Sequence, residues 1–409
     1  MIIRNVRPWG KAPSDVTIVD GYIADIRPHQ QAEISPPPGT ILDGEGRILL
    51  PSFTDSHVHL DSTRIGQPFK PHTAAPGVWN MIMNDRKNWR QENESAETRA
   101  ASTLGRMIAR GATRVRSFAQ IDADCGLERY EAVAFAKKFH QSRADVAIVA
   151  FPQAGLLLED GVPSLMEEAL RNGADEIGGI DPCGLDKDPV RHLDVLFGLA
   201  EKYQVPVDIH LHEPGDLGLF SIQLILERTR ALDMKGKVSL SHAFALTGSP
   251  TEQTLKVISE LAELDVAITT VAPAGRPSLP LEALTAAGIR VGLGQDGQRD
   301  YWSPYGNCDM LDRTWQLAFT NGFRKDSLIE HCVAIATIGG ASVIDPKGYR
   351  LADALDRPGL SLGDPAELVL VAGETVAAAV MDRFADRTVI HQGQVIAAQG
   401  RLLEASETA

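Results

Sequence analysis

Apolar and polar positions follow two different patterns along the middle of the chain. Short apolar runs predict buried strands, and apolar residues spaced three and four apart predict amphipathic helices that cover a sheet. The runs cover residues 49–59, 113–118, 145–151, 176–180, 207–212, 238–242, 267–271 and 291–295. The helical spacing covers residues 95–110, 127–141, 162–172, 190–203, 222–234, 252–264 and 281–287. These units predict an α/β fold, a (β/α)8 TIM-like barrel, with a doubly wound open sheet as the alternative.

The two ends of the chain share a different pattern of short strands and turns. Strands are predicted at residues 1–6, 16–19, 22–26 and 48–50, and again at 367–371, 377–381, 388–390 and 394–397. A Pro-rich stretch at residues 36–39 separates two strands of the first group. Because neither end alone is long enough to bury a core, we predict that both termini form one small β-domain. Residues 1–50 plus 360–409 would make this β-domain, and residues 51–359 the (β/α)8 barrel.

The composition is that of a folded globular protein and excludes several functional classes. Hydrophobic residues make up 44% of the 409 residues and charged residues 23%, which is too apolar for a disordered chain. The formal charge is −14 without any Lys/Arg cluster, which argues against nucleic acid or a membrane as a partner. The four cysteines lie far apart, which excludes a cysteine zinc cluster and a disulfide scaffold.

The sequence also predicts a cytoplasmic location. The first residues lack the apolar stretch of a signal peptide, and no run of about 18 apolar residues suggests a membrane span. Widely spaced cysteines suit a reducing compartment.

Four of the eight predicted barrel strands end on residues that bind metals or transfer protons. His57 and His59 end the first strand, and their spacing of two places both side chains on one face. His210 lies near the end of the fifth strand, His242 ends the sixth, and Asp296 follows the eighth. Because barrel enzymes carry their catalytic groups at these strand ends, we expect the five side chains to meet.

This joint occurrence predicts a metal site. A single histidine on a strand is more often incidental, and a single aspartate often caps a helix. Three histidines and a carboxylate together suit Zn²⁺ or Fe²⁺ better than Ca²⁺ or Mg²⁺.

Several longer segments carry a family resemblance. They are residues 50–60 (LPSFTDSHVHL), 151–155 (FPQAG), 210–213 (HLHE), 241–242 (SH), 296–307 (DGQRDYWSPYGN) and 363–370 (GDPAELVL). Through them the chain resembles the amidohydrolase superfamily, and within it the subgroup of cytosine deaminase and N-isopropylammelide amidohydrolase. The likeness extends over essentially the whole chain, and it implies a distorted barrel with a terminal β-domain.

The resemblance implies a role for each candidate residue. The implied ligands of one metal ion per subunit are His57, His59, His210 and Asp296. Glu213 would be the acid/base that carries protons between the metal-activated water, the ring and the leaving amine. His242 would hold and polarise the attacking hydroxide, and Asp296 would also accept the proton of the water. Gln153 would hydrogen-bond an amide-like edge of the substrate ring, and Trp302 would form a wall of the pocket.

Elementary chemistry supports these roles. A bound metal lowers the pKa of water from 15.7 to about 7, which gives hydroxide at neutral pH. Amines leave poorly unless they are protonated, so a carboxyl group near the metal has a definite task. Gln153 is a neutral donor and acceptor and suits an uncharged amide edge, whereas Trp302 could equally serve packing.

Departures from the relatives bear on metal count and substrate. Two-metal relatives carry a carboxylated lysine at the end of the fourth strand, but the nearest lysine here, Lys187, lies well beyond it. Cytosine deaminases carry a second carboxylate where Gly297 stands, and both relatives carry a His and an Asp where strand two here contains Phe118 and Gln120. We therefore expect one metal and a less charged pocket, and residues 299–302 favour the triazine side of the subgroup.

The sequence thus predicts a metal-dependent hydrolytic deaminase that acts on C–N bonds other than peptide bonds. It would remove an amino or alkylamino group from a small nitrogen heterocycle, a cytosine-like pyrimidine or an aminotriazine. The first alternative is a cyclic amide hydrolase of the hydantoinase or dihydroorotase type, and another is a binding protein on a retained barrel. A cytidine deaminase is excluded because no PCxxC follows an HxE. Subunits of similar enzymes often associate, so a homo-oligomer is compatible with the sequence.

Overall fold

The computed structural model of the chain describes residues 1–30 and 41–404. The Pro-rich stretch at residues 36–39 and the last residues of the predicted β-domain, 405–409, lie outside this described part. Two β-sheets, one central and one terminal, organise the rest.

The central sheet closes into a barrel of parallel strands. Within the described residues they are Phe53–His59, Ala112–Gln120, Asp145–Phe151, Glu176–Ile180, Val207–His210, Val238–Ser241, Ala267–Thr270 and Val291–Leu293, in chain order. A two-residue strand, Asp296–Gly297, follows the last of these and pairs with the first. This pairing closes the circle, which confirms the predicted (β/α)8 barrel and rules out the open sheet.

Helices connect these strands and pack against them. The predicted helices are Ala96–Ala109, Glu128–Phe139, Val162–Arg171, Pro189–Tyr203, Gly215–Ala231, Glu252–Glu263 and Leu281–Ala286. Side chains cap several of their starts. Ser95 accepts a hydrogen bond from the Thr98 backbone N–H, and Thr251 and Thr254 form a reciprocal capping box. Further helices, which the periodicity did not identify, span Val78–Asn88, Met310–Thr320, Asp326–Ala334, Gly340–Ile344 and Val376–Asp382.

The terminal sheet is built from both ends of the chain. Its strands are Ile2–Pro8, Ser14–Val19, Tyr22–Pro28, Ile41–Asp43, Ile48–Pro51, Leu368–Val371, Arg387–His391, Gln394–Ala398 and Arg401–Leu402. Leu368–Val371 pairs antiparallel with Ile48–Pro51, which joins the two termini. Alternating inward residues such as Ile3, Val16 and Leu370 form its own buried cluster. The predicted β-domain is confirmed, while its boundaries at residues 50 and 360 stay a prediction.

One predicted strand is wrong. Residues 377–381 lie in the helix Val376–Asp382, and Thr375 caps it by accepting the N–H of Ala378. A five-residue apolar run carries too little periodicity to separate a strand from a buried helix, and the consecutive alanines favour the helix.

Within residues 1–30 and 41–404, one helical stretch, Asp326–Ile344, is long and apolar enough to cross a membrane by length and composition alone. Its apolar window is 67% buried inside the protein, where it packs against the first and last barrel strands. Such burial is typical of a core helix. The cytoplasmic location stays a prediction.

Candidate metal centre and substrate cleft

The C-terminal ends of the barrel strands open into a cleft of about 870 Å³. On one side it is lined by His59, His210, His212, His242 and Asp296. His57 lies behind them and is fully buried. Its ring centroid is 4.5 Å from that of His210 and 4.9 Å from that of His242. The structure therefore brings the five predicted residues together.

Several buried imidazole nitrogens in this cluster have no hydrogen-bond partner among the described residues. They are Nε2 of His57 and both ring nitrogens of His210 and His242. A buried polar atom without a partner costs about 1–3 kcal/mol, so this concentration calls for a ligand that the chain does not supply. Nitrogen lone pairs beside a carboxylate fit a divalent ion of the zinc or iron type.

Asp296 supplies that carboxylate. Its Oδ1 lies 3.7 Å from His57 Nε2 and 3.5 Å from His59 Nε2. Its φ of 62° lies in the left-handed region, which an aspartate tolerates. Asp296 begins the two-residue strand that pairs with the first barrel strand. Two overlapping groups of ligand atoms, each within 4.8 Å, are formed by His57, His59 and His210 and by His57, His242 and Asp296.

The protonation states suit a cation. Burial lowers the pKa of His59 to about 4, and it lowers the pKa of His210 and His242 well below the ordinary value. Burial alone would raise the pKa of Asp296, but the adjacent imidazoles of His57, His242 and His59 hold it well below the usual range. Neutral rings and an ionised carboxylate are the forms that bind metals.

A chain of hydrogen bonds orients His57. Its Nδ1 lies 2.8 Å from Ser241 Oγ, and the Ser241 hydroxyl donates to Asp208 Oδ1 at 2.8 Å. Because the hydroxyl proton is used on Asp208, Ser241 accepts from Nδ1–H of His57 and leaves the lone pair of Nε2 free for a metal. We did not predict these supporting roles, although Asp208 lies two residues before His210 on the same strand and so on the same face.

Arg116 connects this chain of hydrogen bonds, through Asp208, to other buried polar groups inside the barrel. Its guanidinium donates to Asp208 at 2.8 Å, to Glu176 at 3.3 Å and to Ser239 at 2.9 Å. All four residues are buried. We name this set, Arg116, Glu176, Asp208 and Ser239, the arginine cluster.

Glu213 does not line the cleft. The residue is 4% exposed, its Oε1 accepts the backbone N–H groups of Cys183 at 2.8 Å and Gly184 at 2.6 Å, and its Oε2 accepts the Ser221 hydroxyl. Burial raises the pKa of its carboxyl group. The predicted acid/base is therefore close in sequence to the predicted metal ligands, but in this structure its carboxylate is hydrogen-bonded to other groups.

His212 takes the place beside the cleft instead. Its Nδ1 lies 2.8 Å from Asp181 Oδ2, and its backbone N–H donates to Asp181 Oδ1 at 2.7 Å. Its ring centroid is 4.2 Å from that of His242. The spacing of two between His210 and His212, the same spacing that identified His57 and His59, was the signal that could have found it.

The predicted substrate residues both line the cleft. Gln153 is 8% exposed there, and Trp302 is half-buried on the loop after the last barrel strand. Gln120 lines the cleft as well, whereas Phe118 packs against the ring of His57 at 4.3 Å. The end of strand two thus contributes an uncharged side chain to the pocket.

Comparison with known families decides the class of the protein. A model described as the amidohydrolase family matches residues 86–397. The chain belongs to the amidohydrolase family. The predicted membership is thereby confirmed.

Individual amidohydrolases are similar over nearly the whole chain. The structure of N-isopropylammelide isopropylaminohydrolase from Burkholderia multivorans ATCC 17616 covers 98% of this chain and 99% of that chain, with 37% identity and a TM-score of 0.89. The N-isopropylammelide isopropyl amidohydrolase of Pseudomonas sp. (strain ADP) is 27% identical over 97% of this chain and 96% of that protein.

A structure of 5-methylcytosine deaminase from Klebsiella pneumoniae, liganded with 5-fluorocytosine, covers 99% of this chain and 98% of that chain, with 25% identity and a TM-score of 0.80. A dihydroorotase of Mycobacterium tuberculosis is 41% identical, but only over 15% of this chain and 14% of that protein. The similarity to this cyclic amide hydrolase is thus limited to a short segment of the chain.

Proposed function

We propose that this chain is a metal-dependent hydrolase that replaces an amino or alkylamino group of a small neutral nitrogen heterocycle with a hydroxyl group. The observation that carries the proposal is the set of unpaired imidazole nitrogens beside Asp296, at the inner end of a cleft that admits a small ring. The activities in the names of the isopropylaminohydrolase and of the 5-methylcytosine deaminase support the reaction class.

One divalent ion, zinc or iron, would be held by His57, His59, His210 and Asp296. Such an ion lowers the pKa of water to about 7 and so supplies hydroxide at neutral pH. The fourth barrel strand ends at Ile180 without a lysine, and Lys187 is exposed and does not line the cleft, which favours one ion over two.

The side chains around the ion would divide the remaining work. An N–H of His242 would donate a hydrogen bond to the oxygen that attacks the ring carbon, and the carboxylate of Asp296 would accept the proton of the water. Gln153 would hold the amide-like edge of the ring with its own amide, and Trp302 would wall the opposite part of the pocket. A C–O bond forms at the ring carbon, the bond from that carbon to the exocyclic amine nitrogen breaks, and the amine leaves with the proton.

The proton of the leaving amine has two candidate donors. Glu213, the donor that the family resemblance implies, would have to leave its hydrogen bonds to Cys183, Gly184 and Ser221. His212 already lines the cleft and is held by Asp181. Comparison of Glu213→Gln with His212→Gln separates the two donors.

A substrate panel tests the reaction. Metal-replete enzyme is incubated with aminopyrimidines, aminotriazines including N-isopropylammelide, and aminopurines, beside dihydroorotate and hydantoin, and free ammonia or alkylamine is measured. We expect amine release from one ring class and its loss in Glu213→Gln.

Other outcomes would change the account in defined ways. Retained amine release in Glu213→Gln, with loss in His212→Gln, would assign proton transfer to His212. Ring opening without amine release would contradict the deaminase and favour the cyclic amide hydrolase. Tight ligand binding without any turnover would indicate a binding protein.

A further inference from the structure

Gly297 has no side chain, and it directly follows Asp296 in the cleft wall. A Cβ atom added at Gly297 would overlap Asp300 Oδ2 and would lie 2.8 Å from its Cγ. The carboxylate of Asp300 therefore fills the space that a side chain at position 297 would take. Gly297 pairs with His59 in the ladder that closes the barrel, so this space adjoins the metal centre.

The loop holds the carboxylate of Asp300 in this orientation. Oδ1 accepts the backbone N–H groups of Trp302 and Ser303, both at 2.8 Å. Oδ2 accepts the hydroxyl of Ser62 at 3.2 Å. Asp300 is 6% exposed and lines the cleft together with Ser62, Gly297 and Trp302. The two hydrogen bonds to Oδ1 fix the group, and Oδ2 is the carboxylate oxygen nearest to the position that a Cβ of residue 297 would take.

The carboxylate of Asp300 has one hydrogen-bond acceptor position left for a ligand. An ionised carboxylate offers about four lone-pair positions and no donor. The two backbone N–H groups and the hydroxyl of Ser62 use three of them. One acceptor position on Oδ2 remains, and it can be filled only by a donor such as an N–H group.

We propose that Asp300 accepts a hydrogen bond from a ring N–H of the substrate and so selects oxo-heterocycles that carry such a group, with oxo-triazines as the favoured class. This inference rests on the proposed function and extends it to the substrate. Gly297 contributes by leaving room for the carboxylate, which makes the pair Gly297 and Asp300 one specificity element.

The test compares Asp300→Asn, Gly297→Ala and a matched control with the wild-type enzyme. The control is Asp364→Asn, the same change at a buried loop carboxylate beside the terminal sheet, where Oδ2 accepts the Ser361 N–H at 2.7 Å. The assays are run at pH 8, above the value of about 7 to which burial raises the pKa of Asp300. They measure kcat and KM for N-isopropylammelide, the melting temperature, and inhibition constants for cyanuric acid and its N-trimethyl derivative.

Asp300→Asn can keep both bonds to the loop through its carbonyl oxygen while its NH₂ group takes the place of Oδ2 beside Gly297. A charge-assisted hydrogen bond contributes about tenfold to a hundredfold in affinity. We therefore expect KM and the inhibition constant of cyanuric acid to rise by factors of that size. We expect a much smaller change in kcat, in the melting temperature and in binding of the trimethyl compound, which lacks N–H groups. Gly297→Ala should give the same pattern, because its methyl group displaces the carboxylate, and Asp364→Asn should leave all values unchanged.

Three results would overturn the inference. KM and cyanuric acid binding that do not change in Asp300→Asn would exclude the hydrogen bond. A fall in kcat and in melting temperature, with equal effects on the binding of both inhibitors, would mean that Asp300 only stabilises the loop. A wild-type enzyme that binds neither oxo-triazine would contradict the selected class. Cyanuric acid binding without amine release from any ring would instead contradict the proposed function alone.

Discussion

Two clusters of buried polar side chains lie in the same barrel and differ in one respect. In the arginine cluster, Arg116 donates to Glu176, Asp208 and Ser239, so each charge has an opposite charge or a hydrogen bond beside it. We name His57, His59, His210 and His242 the histidine cluster, and in it the ring nitrogens of His210 and His242 have no partner among the described residues. Both clusters are buried, so burial alone does not separate them.

This difference in hydrogen bonding distinguishes the arginine cluster, a structural group, from the histidine cluster, a candidate ligand site. Buried polar groups that pair with each other stabilise or specify the fold. Removal of one partner leaves the other charge buried and unpaired. Groups that remain unsatisfied weaken the fold unless a ligand completes them. Ser241 and Asp208 connect the clusters, because they link the guanidinium of Arg116 to Nδ1 of His57.

The largest expected effect is the loss of activity in His210→Leu. The variant removes a proposed metal ligand, so turnover should fall by far more than the 10–100-fold typical of losing a supporting residue. The same change removes two unpaired nitrogens, so the metal-free variant should be at least as stable as the metal-free wild type. Amine release and urea unfolding measure the two effects, and a strong loss of metal-free stability would break the comparison.

Arg116→Met should have the opposite profile. It leaves Glu176 and Asp208 buried without their cation, which typically costs about 3–5 kcal/mol. The free energy of unfolding of the metal-free protein in urea gives the value. Arg114→Met, at a half-buried arginine on the same strand, is the control and should cost much less. Equal costs for both variants would contradict a structural role that is specific to Arg116.

Ser241→Ala tests the link between the clusters. His57 would lose the acceptor that fixes its Nδ1–H, so metal affinity should weaken by about 10–100-fold while the fold persists. Competition with a chelator of known affinity measures this change. Unchanged affinity would show that His57 is oriented by packing alone.

The smallest effect concerns pH and the arginine cluster. Burial raises the pKa of Glu176 above 4.5 in the folded chain, although Arg116 opposes this shift. The contribution of this carboxyl group to stability is therefore present below about pH 4.5 and is lost as the pH rises through the raised value. Glu176→Gln cannot ionise, so its melting temperature relative to wild type should rise modestly from pH 4.5 to pH 8. A relative fall over that range would show that the ionised pair with Arg116 dominates.

The sequence alone revealed the residues whose type and spacing are unusual. His57, His59 and Asp296 stood out because imidazoles and carboxylates at strand ends have few structural reasons to be there. Ser241 and Asp208 did not, because a serine and an aspartate inside a strand acquire their roles only from neighbours distant in the sequence.

The positions of Glu213 and of residues 377–381 show a second limit. The sequence places Glu213 close to the proposed metal ligand His210, but the backbone N–H groups of Cys183 and Gly184 decide where its carboxylate points. Residues 377–381 form a helix because of a cap at Thr375 and their packing, neither of which a short apolar run reveals.

The central claim, that the histidine cluster is a catalytic metal site, is tested most directly by titrating metal into the chelated protein. Purified protein is stripped of metal, Zn²⁺ or Fe²⁺ is added stepwise, and bound metal and amine release are measured on the same samples. We expect both to rise together and to level off at one ion per chain, with no specific uptake in His210→Leu. Full activity in the stripped protein, or uptake that His210→Leu retains, would contradict the account.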